Sequence, residues 1–287
     1  MTKKSRPHLG QHFLISDAYR RRVAEALAIG SGDLVLEIGS GRGAMTGLLM
    51  ERARKVAAVE IDAQLAEGLR VKFAGDERVE VMLADVLEVD LAGICSRHGA
   101  ERLFAFGNLP YYITSPILHH LLNSPSRLRG MAFVIQREVA DRITARPGSR
   151  AYGYLSVLSQ AFTQPRVAFS IPPGAFSPAP AVHSALVTFE MRGALTRADE
   201  DRTRKFLDLV KLGFSQKRKK LANNLASVYP LATAREALRN CGFSENARAE
   251  ELGVQDLMQL FNRLKPISLN RQRSEHALLP SHPAKRD

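Results

Sequence analysis

The chain has 287 residues and 45% of them are apolar, which is enough for one large domain and a smaller one. No apolar run approaches the roughly 18 residues that a membrane span requires, and the basic N-terminus lacks the apolar segment of a secretory signal. These features indicate a soluble, cytoplasmic protein, and a formal net charge of +12 favours a polyanionic partner, nucleic acid above all.

The first half of the chain alternates short apolar runs with segments of helical periodicity. A helix is predicted from Asp17 to about Ile29, with Ser16 or Asp17 as its N-cap. Leu34–Ile38 stops at a glycine cluster and has the continuous apolar character of a buried parallel strand. Further helices are predicted through Leu48 and Leu49, over 63–73 and over 114–123, and further strands over 56–59 (closed by Glu60), 79–84, 102–106 and 130–136. This alternation predicts a doubly wound α/β sheet with ligands at the carboxyl ends of its strands.

Residues 166–190 break this alternation. Two apolar runs there are separated by Ile171–Pro180, a segment that contains four prolines. Proline fixes φ and has no N–H to donate, so regular structure is not expected in this segment. It is predicted to be a stiff loop between two strands.

After Gly193 the pattern becomes wholly helical. Helices are predicted over 199–213, 217–227, 232–241 and 253–264. The predicted organisation is a large α/β domain over 1–193, a smaller all-helical domain over 194–265 and a disordered polar tail over 266–287.

Positive charge is concentrated in this last third. From Ala194 onward there are 18 Lys and Arg against 11 Asp and Glu, a net +7. The densest run is Lys217-Arg218-Lys219-Lys220, which opens the predicted helix 217–227. Such a run is often only a solvated face, but in a domain of this charge we predict that it contacts the phosphates of RNA.

A glycine-rich turn between the first strand of the sheet and the next helix is the first candidate site. Gly39 and Gly41 allow the backbone to turn tightly and to approach a ligand that a Cβ would exclude. Glu60, about twenty residues later, can accept both hydroxyls of a ribose, and Asp85 follows the third strand where an adenine would rest. The turn also satisfies G-x-G-x-x-A, so NAD and S-adenosylmethionine both remain open at this point.

The tetrad Asn108-Leu109-Pro110-Tyr111 after the fourth strand separates these two cofactors. An adenine amino group is a poor nucleophile, because its lone pair is delocalised into the ring. The Asn108 side-chain oxygen and the Leu109 carbonyl would accept its two hydrogens and favour a localised lone pair. Pro110 fixes the turn, and Tyr111 offers a face for an extruded base, an interaction worth about 1–3 kcal/mol. These residues predict methyl transfer to adenine N6 and have no role in hydride transfer.

This tetrad resembles that of the adenine-N6 methyltransferases with an Asp/Asn/Ser-Pro-Pro-aromatic motif. Seven segments over roughly residues 8–264 narrow the resemblance to the small-subunit ribosomal RNA adenine dimethyltransferases, the kasugamycin-sensitivity enzymes. They are Leu9–Leu14 (LGQHFL), Asn108–Pro116 (NLPYYITSP), Gln136–Ala140 (QREVA), Tyr152–Val157 (YGYLSV), Phe176–Pro180 (FSPAP), Phe214–Leu225 (FSQKRKKLANNL) and Arg248–Leu252 (RAEEL). The resemblance implies a Rossmann-like class I methyltransferase domain that uses S-adenosylmethionine.

The resemblance also implies a role for each matched position. His12 and Leu14 would flank the methionine end of the cofactor, with the glycine turn against its carboxypropyl part. Asn108 would lie between the cofactor and the target base, and Phe176 would stack on the base opposite Tyr111, with simple packing as the alternative for its ring. The implied substrate is a pair of adjacent adenines in the 3′-terminal hairpin loop of 16S rRNA, within the immature small subunit.

Two positions depart from the pattern of this family. His12 stands where Asn is frequent, so that its contact must come from an imidazole or from the backbone. His183 replaces an Asp and receives no catalytic role. No metal is expected, because the histidines and the two cysteines, Cys95 and Cys241, fit no metal-type spacing. Both cysteines are interpreted as ordinary buried or half-buried thiols.

Three other functions compete with this one. The first is methylation of 23S rRNA adenine as in the erythromycin-resistance enzymes, which share fold and chemistry but resemble Gln216–Leu225 and Tyr152-Gly153 less. The second is a non-catalytic assembly factor, against which the intact glycine, acidic and asparagine positions argue. The third is an NAD oxidoreductase, for which the chain offers no hydride-transfer site. A monomer is expected, since no exposed apolar helix face stands out.

Overall fold

The structure, a computed structural model, describes residues 12–110, 113–196 and 200–264 of the chain. The chain divides into two compact units, with the division between Asp199 and Glu200. The described strands all lie in the first unit: β1 Phe13–Leu14, β2 Leu34–Ile38, β3 Lys55–Glu60, β4 Val79–Leu83, β5 Leu103–Asn108, β6 Leu128–Gln136, β7 Gln164–Ile171, β8 Phe176–Ser177 and β9 Ser184–Glu190. The helices of this unit are α1 Asp17–Ala26, α2 Ala44–Met50, α3 Ala63–Lys72, α4 Leu91–Arg97, α5 Thr114–Leu122, α6 Arg137–Ile143 and α7 Tyr154–Phe162.

Seven of these strands form one sheet in the order β4-β3-β2-β5-β6-β9-β7. The five strands from β4 to β6 are parallel, whereas β9 pairs antiparallel with both β6 and β7. The predicted doubly wound α/β sheet is confirmed, with two antiparallel strands added at one edge. Strand order reverses between β2 and β5, which is where such sheets bind ligands.

The burial of each strand follows from its place in the sheet. All five residues of β2 are buried because the strand lies between β3 and β5, with helices covering the faces. The edge strand β7 instead alternates exposed and half-buried residues, and it accommodates Pro165 because an edge strand can lack one N–H donor. Helix starts are also encoded locally: the Asp62 carboxylate accepts from the backbone N–H of Gln64 and Leu65 at the beginning of α3.

The predicted strands and helices of the first half occur with ends that differ by at most three residues, and β2 matches its prediction at both ends. The largest difference is at the first helix, which ends at Ala26 because Leu27 is extended. Helices α4, α6 and α7 were not predicted from the sequence. Six of the nine residues of α7 are buried, and Ser156 and Ser159 are among them, so this helix lacks the exposed polar face of a surface helix.

The prediction of a structureless loop over 171–180 was wrong. Pro173–Ala175 form one turn of 3₁₀ helix, and Phe176–Ser177 form β8, which pairs antiparallel with β1. The prolines do not prevent this, because they lie on either side of β8 and leave the N–H groups of its two residues in place.

The described part of the second unit consists of four α helices and one 3₁₀ turn, as predicted for an all-helical domain. The helices are α8 Glu200–Gly213, α9 Leu221–Leu225, α10 Leu231–Asn240 and α11 Val254–Arg263. Its core includes Phe206 and Phe261, whose rings meet edge to face with centroids 5.7 Å apart. The predicted tail over 266–287 lies outside the described residues.

Two further expectations concern single features of the chain. Cys95 is buried and Cys241 is half-buried, and both thiols are free, as expected. Burial raises the pKa of each of them above the usual value. None of the helices in the described ranges is long and apolar enough to cross a membrane.

Candidate functional site

The carboxyl ends of four parallel strands bring the predicted site residues to one edge of the sheet. Ile38, the last residue of β2, lies opposite Val59 on one side and Gly107 on the other. Gly39 therefore follows β2 beside Glu60 of β3 and Asn108 of β5. Leu83 pairs with Glu60, and Asp85 follows it two residues later. The arrangement of these side chains is thus set by strand register, as the alternation of elements predicted.

The turn after β2 requires glycine at both predicted positions. Gly39 and Gly41 have φ values of 71° and 55°, in the left-handed region that other residues rarely adopt. A Cβ on Gly39 would meet no atom within 4 Å, whereas a Cβ on Gly41 would lie 3.0 Å from the ring of Phe13. The space in front of Gly39 is therefore open, and the backbone there can approach a ligand closely.

Glu60 performs a structural task that the sequence did not indicate. Its carboxylate is 2% exposed and accepts from the backbone N–H of Gly41 at 2.8 Å, of Ile61 at 2.9 Å and of Asp62 at 3.0 Å. One side chain thus ties the glycine turn to the end of β3. Each carboxylate oxygen has two lone pairs; Oε1 already accepts two hydrogen bonds and Oε2 one, so one acceptor site, on Oε2, remains for a ribose hydroxyl rather than the two that were predicted.

Asp85 is half-buried and caps the 3₁₀ turn that follows β4. Its carboxylate accepts from the backbone N–H of Leu87 at 2.9 Å. This hydrogen bond holds the side chain at the same strand edge as Glu60. Its predicted contact with an adenine ring stays a prediction.

The amide of Asn108 is oriented by the backbone of the N-terminal segment. Its Nδ2 donates to the carbonyl of His12 at 2.7 Å, so Oδ1 is the atom that can accept from a ligand. The next residue, Leu109, is buried, and its N–H donates to the carbonyl of Val134 at 3.0 Å. The carbonyl of Pro110 accepts from Ile113 at 3.2 Å and closes the turn. Tyr111 lies outside the described residues.

The pairing of β1 with β8 holds the N-terminal segment beside Asn108. Leu14 lies opposite Phe176, and one nitrogen of the His12 ring, Nδ1, is 2.7 Å from the carbonyl oxygen of Pro178. The departure at His12 is thereby explained in part: its backbone carbonyl serves Asn108 and its ring contacts the proline segment. Leu14 is buried. Ser16 is the N-cap residue of α1, as one of the two predicted alternatives had it, but its side chain makes no capping hydrogen bond.

Phe176 does not present its ring to solvent. It is 3% exposed and packs in the core cluster that also contains Leu14, Ile171 and Ala175. In this structure the ring therefore has the packing role that the sequence analysis gave as the alternative to stacking on a base. Its predicted stacking on a base would require the ring to be uncovered.

A cleft of about 230 Å³ lies at this strand edge and contains one acid that the sequence analysis did not single out. It is lined by β1, the glycine turn and the end of β5, with residues that include Phe13, Gly39, Asn108 and Glu37. Burial raises the pKa of Glu37 to about 7, although the hydroxyl of Thr46 donates to its carboxyl and lowers it in part. The available signal was an acid inside an otherwise apolar, fully buried strand, where an unpaired charge is costly.

Two predictions about local structure were wrong. The run Lys217–Lys220 is exposed, as expected, but lies in a turn, and Lys220 is only the N-cap of α9. Adjacent like charges do not favour a helix, and the turn is closed by a hydrogen bond from the Lys219 N–H to the carbonyl of Gln216. His183, which the apolar run before residue 190 would place in a strand, is exposed and lies just before β9.

The described residues contain no group of three or more His, Cys, Asp or Glu side chains that could hold a metal ion. The carboxyls of Glu37, Glu60 and Asp85 are instead each bonded to backbone N–H groups or to a hydroxyl, and Arg20 and Arg42 also line the cleft. These groups can form hydrogen bonds with a ligand.

Comparison with known proteins identifies relatives over nearly the whole chain. The family model described as ribosomal RNA adenine dimethylase matches residues 2–266. A protein from Acidobacterium capsulatum named ribosomal RNA small subunit methyltransferase A is 43% identical over 266 residues, which cover 92% of this chain and 93% of the relative. A protein of the same name from Koribacter versatilis is 40% identical over 279 residues, covering 92% and 97% of the two chains.

Two solved structures share the fold. The crystal structure of the 23S rRNA methyltransferase ErmE has a TM-score of 0.67 at 28% identity and covers 88% of this chain and 99% of its own. The crystal structure of a dimethyladenosine transferase from Plasmodium falciparum has a TM-score of 0.74 at 22% identity and covers 87% and 96%.

Proposed function

The chain belongs to the ribosomal RNA adenine dimethylase family, and from that premise we propose that it dimethylates two adjacent adenines of 16S rRNA. It is an S-adenosylmethionine-dependent methyltransferase, as the family and the curated relatives establish. The proposed products are N6,N6-dimethyladenosines in the 3′-terminal hairpin loop. One observation carries the proposal: the Asn108 amide is oriented at the strand edge with its oxygen available to accept from an adenine amino group.

The cleft fits S-adenosylmethionine in two respects. The space in front of Gly39 is open, so a ligand can lie against the backbone there. Glu60, at the end of the neighbouring strand β3, can accept a further hydrogen bond from the ligand. Glu37 also lines the cleft, and because burial raises its pKa to about 7, its carboxyl can donate a hydrogen bond as well as accept one at neutral pH. When bound, S-adenosylmethionine supplies a methyl group activated by a positively charged sulfur.

The proposed work of the protein is to prepare the adenine nitrogen. The Asn108 oxygen and the Leu109 carbonyl accept the two amino hydrogens, which withdraws the lone pair from the ring and directs it toward the methyl group. Asn108 donates a hydrogen bond to the carbonyl of His12, and the Leu109 N–H donates to the carbonyl of Val134. These hydrogen bonds fix Asn108 and Leu109 before the substrate arrives, so little reorganisation is needed during the reaction. Methylation makes the nitrogen acidic, and therefore no strong general base is required.

The identity of the RNA follows from the relatives. The named relatives at 38–43% identity are small-subunit methyltransferases, whereas the 23S enzyme is 28% identical. We therefore favour 16S rRNA over 23S rRNA, and the exposed run Lys217–Lys220 as a contact to its phosphates. The proposal includes the immature small subunit as the physiological substrate, a monomeric enzyme and a cytoplasmic location.

The decisive experiment is incubation of unmethylated small subunits with the protein and labelled S-adenosylmethionine, followed by primer extension. Two adjacent stops in the 3′-terminal hairpin, absent with Asn108→Ala, are expected. In a parallel incubation with unmethylated large subunits, labelling of 23S rRNA in preference to 16S rRNA would overturn the substrate. Binding of the subunit without any transfer of label would favour a non-catalytic assembly factor.

A further inference from the structure

The basic turn of the second unit is held from both sides by one buried residue. Residues 214–220 connect α8 to α9, and the four cations of Lys217–Lys220 are all exposed. Four adjacent positive charges repel one another, so their own interactions do not favour a compact turn. Within the turn, the Lys219 N–H donates to the carbonyl of Gln216, and further contacts come from α9.

Asn224 of α9 supplies these contacts. Its side-chain Nδ2 donates to the carbonyl of Gly213, the last residue of α8, at 2.6 Å and to the carbonyl of Gln216 at 3.2 Å. Its backbone N–H donates to the carbonyl of Lys220 at 3.2 Å. One residue is thus bonded to the chain before the run and to the last residue of the run.

The other half of the same amide is unsatisfied. Asn224 is 5% exposed, and its Oδ1 is buried with no hydrogen-bond partner among the described residues. A buried acceptor without a donor costs about 1–3 kcal/mol. An apolar residue of similar shape would avoid that cost but could not donate to Gly213 or Gln216. Such a residue would also leave the carbonyls of Gly213 and Gln216 without this donor, so the amide is retained for the two hydrogen bonds that it donates.

We propose that Asn224 is a positioning residue for RNA binding, whose two amide hydrogens hold the turn so that Lys217–Lys220 face the phosphates as one cluster. This inference rests on the proposed function, because it assumes that the turn contacts the RNA. In this proposal Asn224 does not contact RNA itself. The effect of substituting Asn224 on RNA binding must therefore depend on the presence of the lysines, and a double-mutant cycle can measure this dependence.

The test is a double-mutant cycle on the full chain with unmethylated small subunits as the probe. Asn224→Leu, which removes both donors at similar size, is expected to lower the slope of log K against log salt by about 0.9 for each phosphate that the cations no longer neutralise. On the background Lys217→Ala, Lys219→Ala and Lys220→Ala, Arg218 is the one cation of the run that remains, so the same substitution should lower the slope by no more than about 0.9. The exposed neighbour serves as the matched control, and Asn223→Leu should bind as the wild type does.

The possible outcomes separate the inference from the proposed function. An Asn224→Leu effect of equal size with and without the lysines would indicate general damage to the unit and overturn the positioning role. Wild-type binding by Asn224→Leu, with the triple lysine variant weakened, would also overturn it. If the triple lysine variant itself binds normally, RNA docking through this turn fails, whereas methylation by the α/β unit is unaffected. Far-ultraviolet circular dichroism and affinity for S-adenosylhomocysteine establish that each variant is folded.

Discussion

The ligand-binding edge of the α/β unit and the basic turn of the helical unit are built in different ways. At the strand edge, the backbone register of β2, β3 and β5 brings Gly39, Glu60 and Asn108 together, and side-chain hydrogen bonds refine the result. At the turn, no ladder of backbone bonds sets the geometry, and the amide of Asn224 bridges its flanks. The register of neighbouring strands can be inferred from the apolar pattern of the sequence, whereas hydrogen bonds made by a single side-chain amide cannot. The two sites should therefore respond differently to substitution.

Asn108→Ala should have the largest effect and should separate chemistry from binding. Loss of the accepting oxygen is expected to lower turnover by roughly a thousandfold, the scale measured for removal of one preorganised polar group from an active site. Affinity for the small subunit should stay close to that of the wild type, because Asn108 acts on the reacting nitrogen. Single-turnover methylation and equilibrium binding measure the two quantities. A variant that methylates at near wild-type rate would remove the role assigned to Asn108.

Glu37→Gln should show that the strand edge carries an electrostatic cost. The pKa of Glu37 is raised from 4.5 to about 7, so between these values the unfolded chain ionises while the folded protein keeps the proton. The free energy of unfolding should therefore fall as pH rises through this window, by roughly 3 kcal/mol in total, and change no further above it. Urea unfolding at several pH values should show this fall in the wild type but not in Glu37→Gln. The exposed Glu25→Gln is the control, and it should follow the wild type.

Glu60→Ala should weaken the cofactor and loosen the glycine turn together. Loss of a charge-assisted contact is expected to reduce affinity for S-adenosylhomocysteine by about 1.5–3 kcal/mol. The N–H groups of Gly41, Ile61 and Asp62 also lose their acceptor, so stability should fall as well. Glu60→Gln keeps one accepting oxygen and should be affected less in both respects. Calorimetric binding of NAD in preference to S-adenosylhomocysteine would contradict the whole assignment of the cleft.

Combined substitution of Lys217, Lys219 and Lys220 by alanine should have the smallest effect on the folded protein. The slope of log K against log salt for small-subunit binding should decrease by the equivalent of up to about three phosphates. Cofactor affinity should not change, and stability should change by less than about 0.5 kcal/mol, because the three lysines are exposed. An unchanged salt slope would mean that the run is only a solvated surface.

The location of three predicted residues could be inferred from the sequence. Glu60 and Asn108 end β3 and β5 and Asp85 follows β4, so parallel pairing places them at the same carboxyl end of the sheet, whereas their contacts with a ligand stay predictions. Glu37 was missed because its position in a buried strand gave it no feature beyond its charge. Its raised pKa depends on burial from every side, which a linear pattern does not encode.

The errors share a different cause. The proline segment was assigned no regular structure, yet Phe176 and Ser177 form a strand because β1 offers them a partner. The run Lys217–Lys220 was assigned to a helix, yet the amide of Asn224 and the carbonyl of Gln216 close a turn instead. In both places a contact with a partner outside the local pattern decided the conformation. The predicted stacking role of Phe176 depends in the same way on neighbours that cover its ring.

The pairing of β1 with β8 has a consequence for how the protein is made. Leu14 leaves the ribosome well before its partner Phe176, which is added 162 residues later. Closing so long a loop delays a contact relative to the local ones. The carbonyl that accepts from Asn108 belongs to His12, beside β1, so the nascent chain can pair its five parallel strands before it can orient the Asn108 amide. A partly synthesised enzyme is therefore expected to lack an oriented Asn108 until the proline segment has emerged.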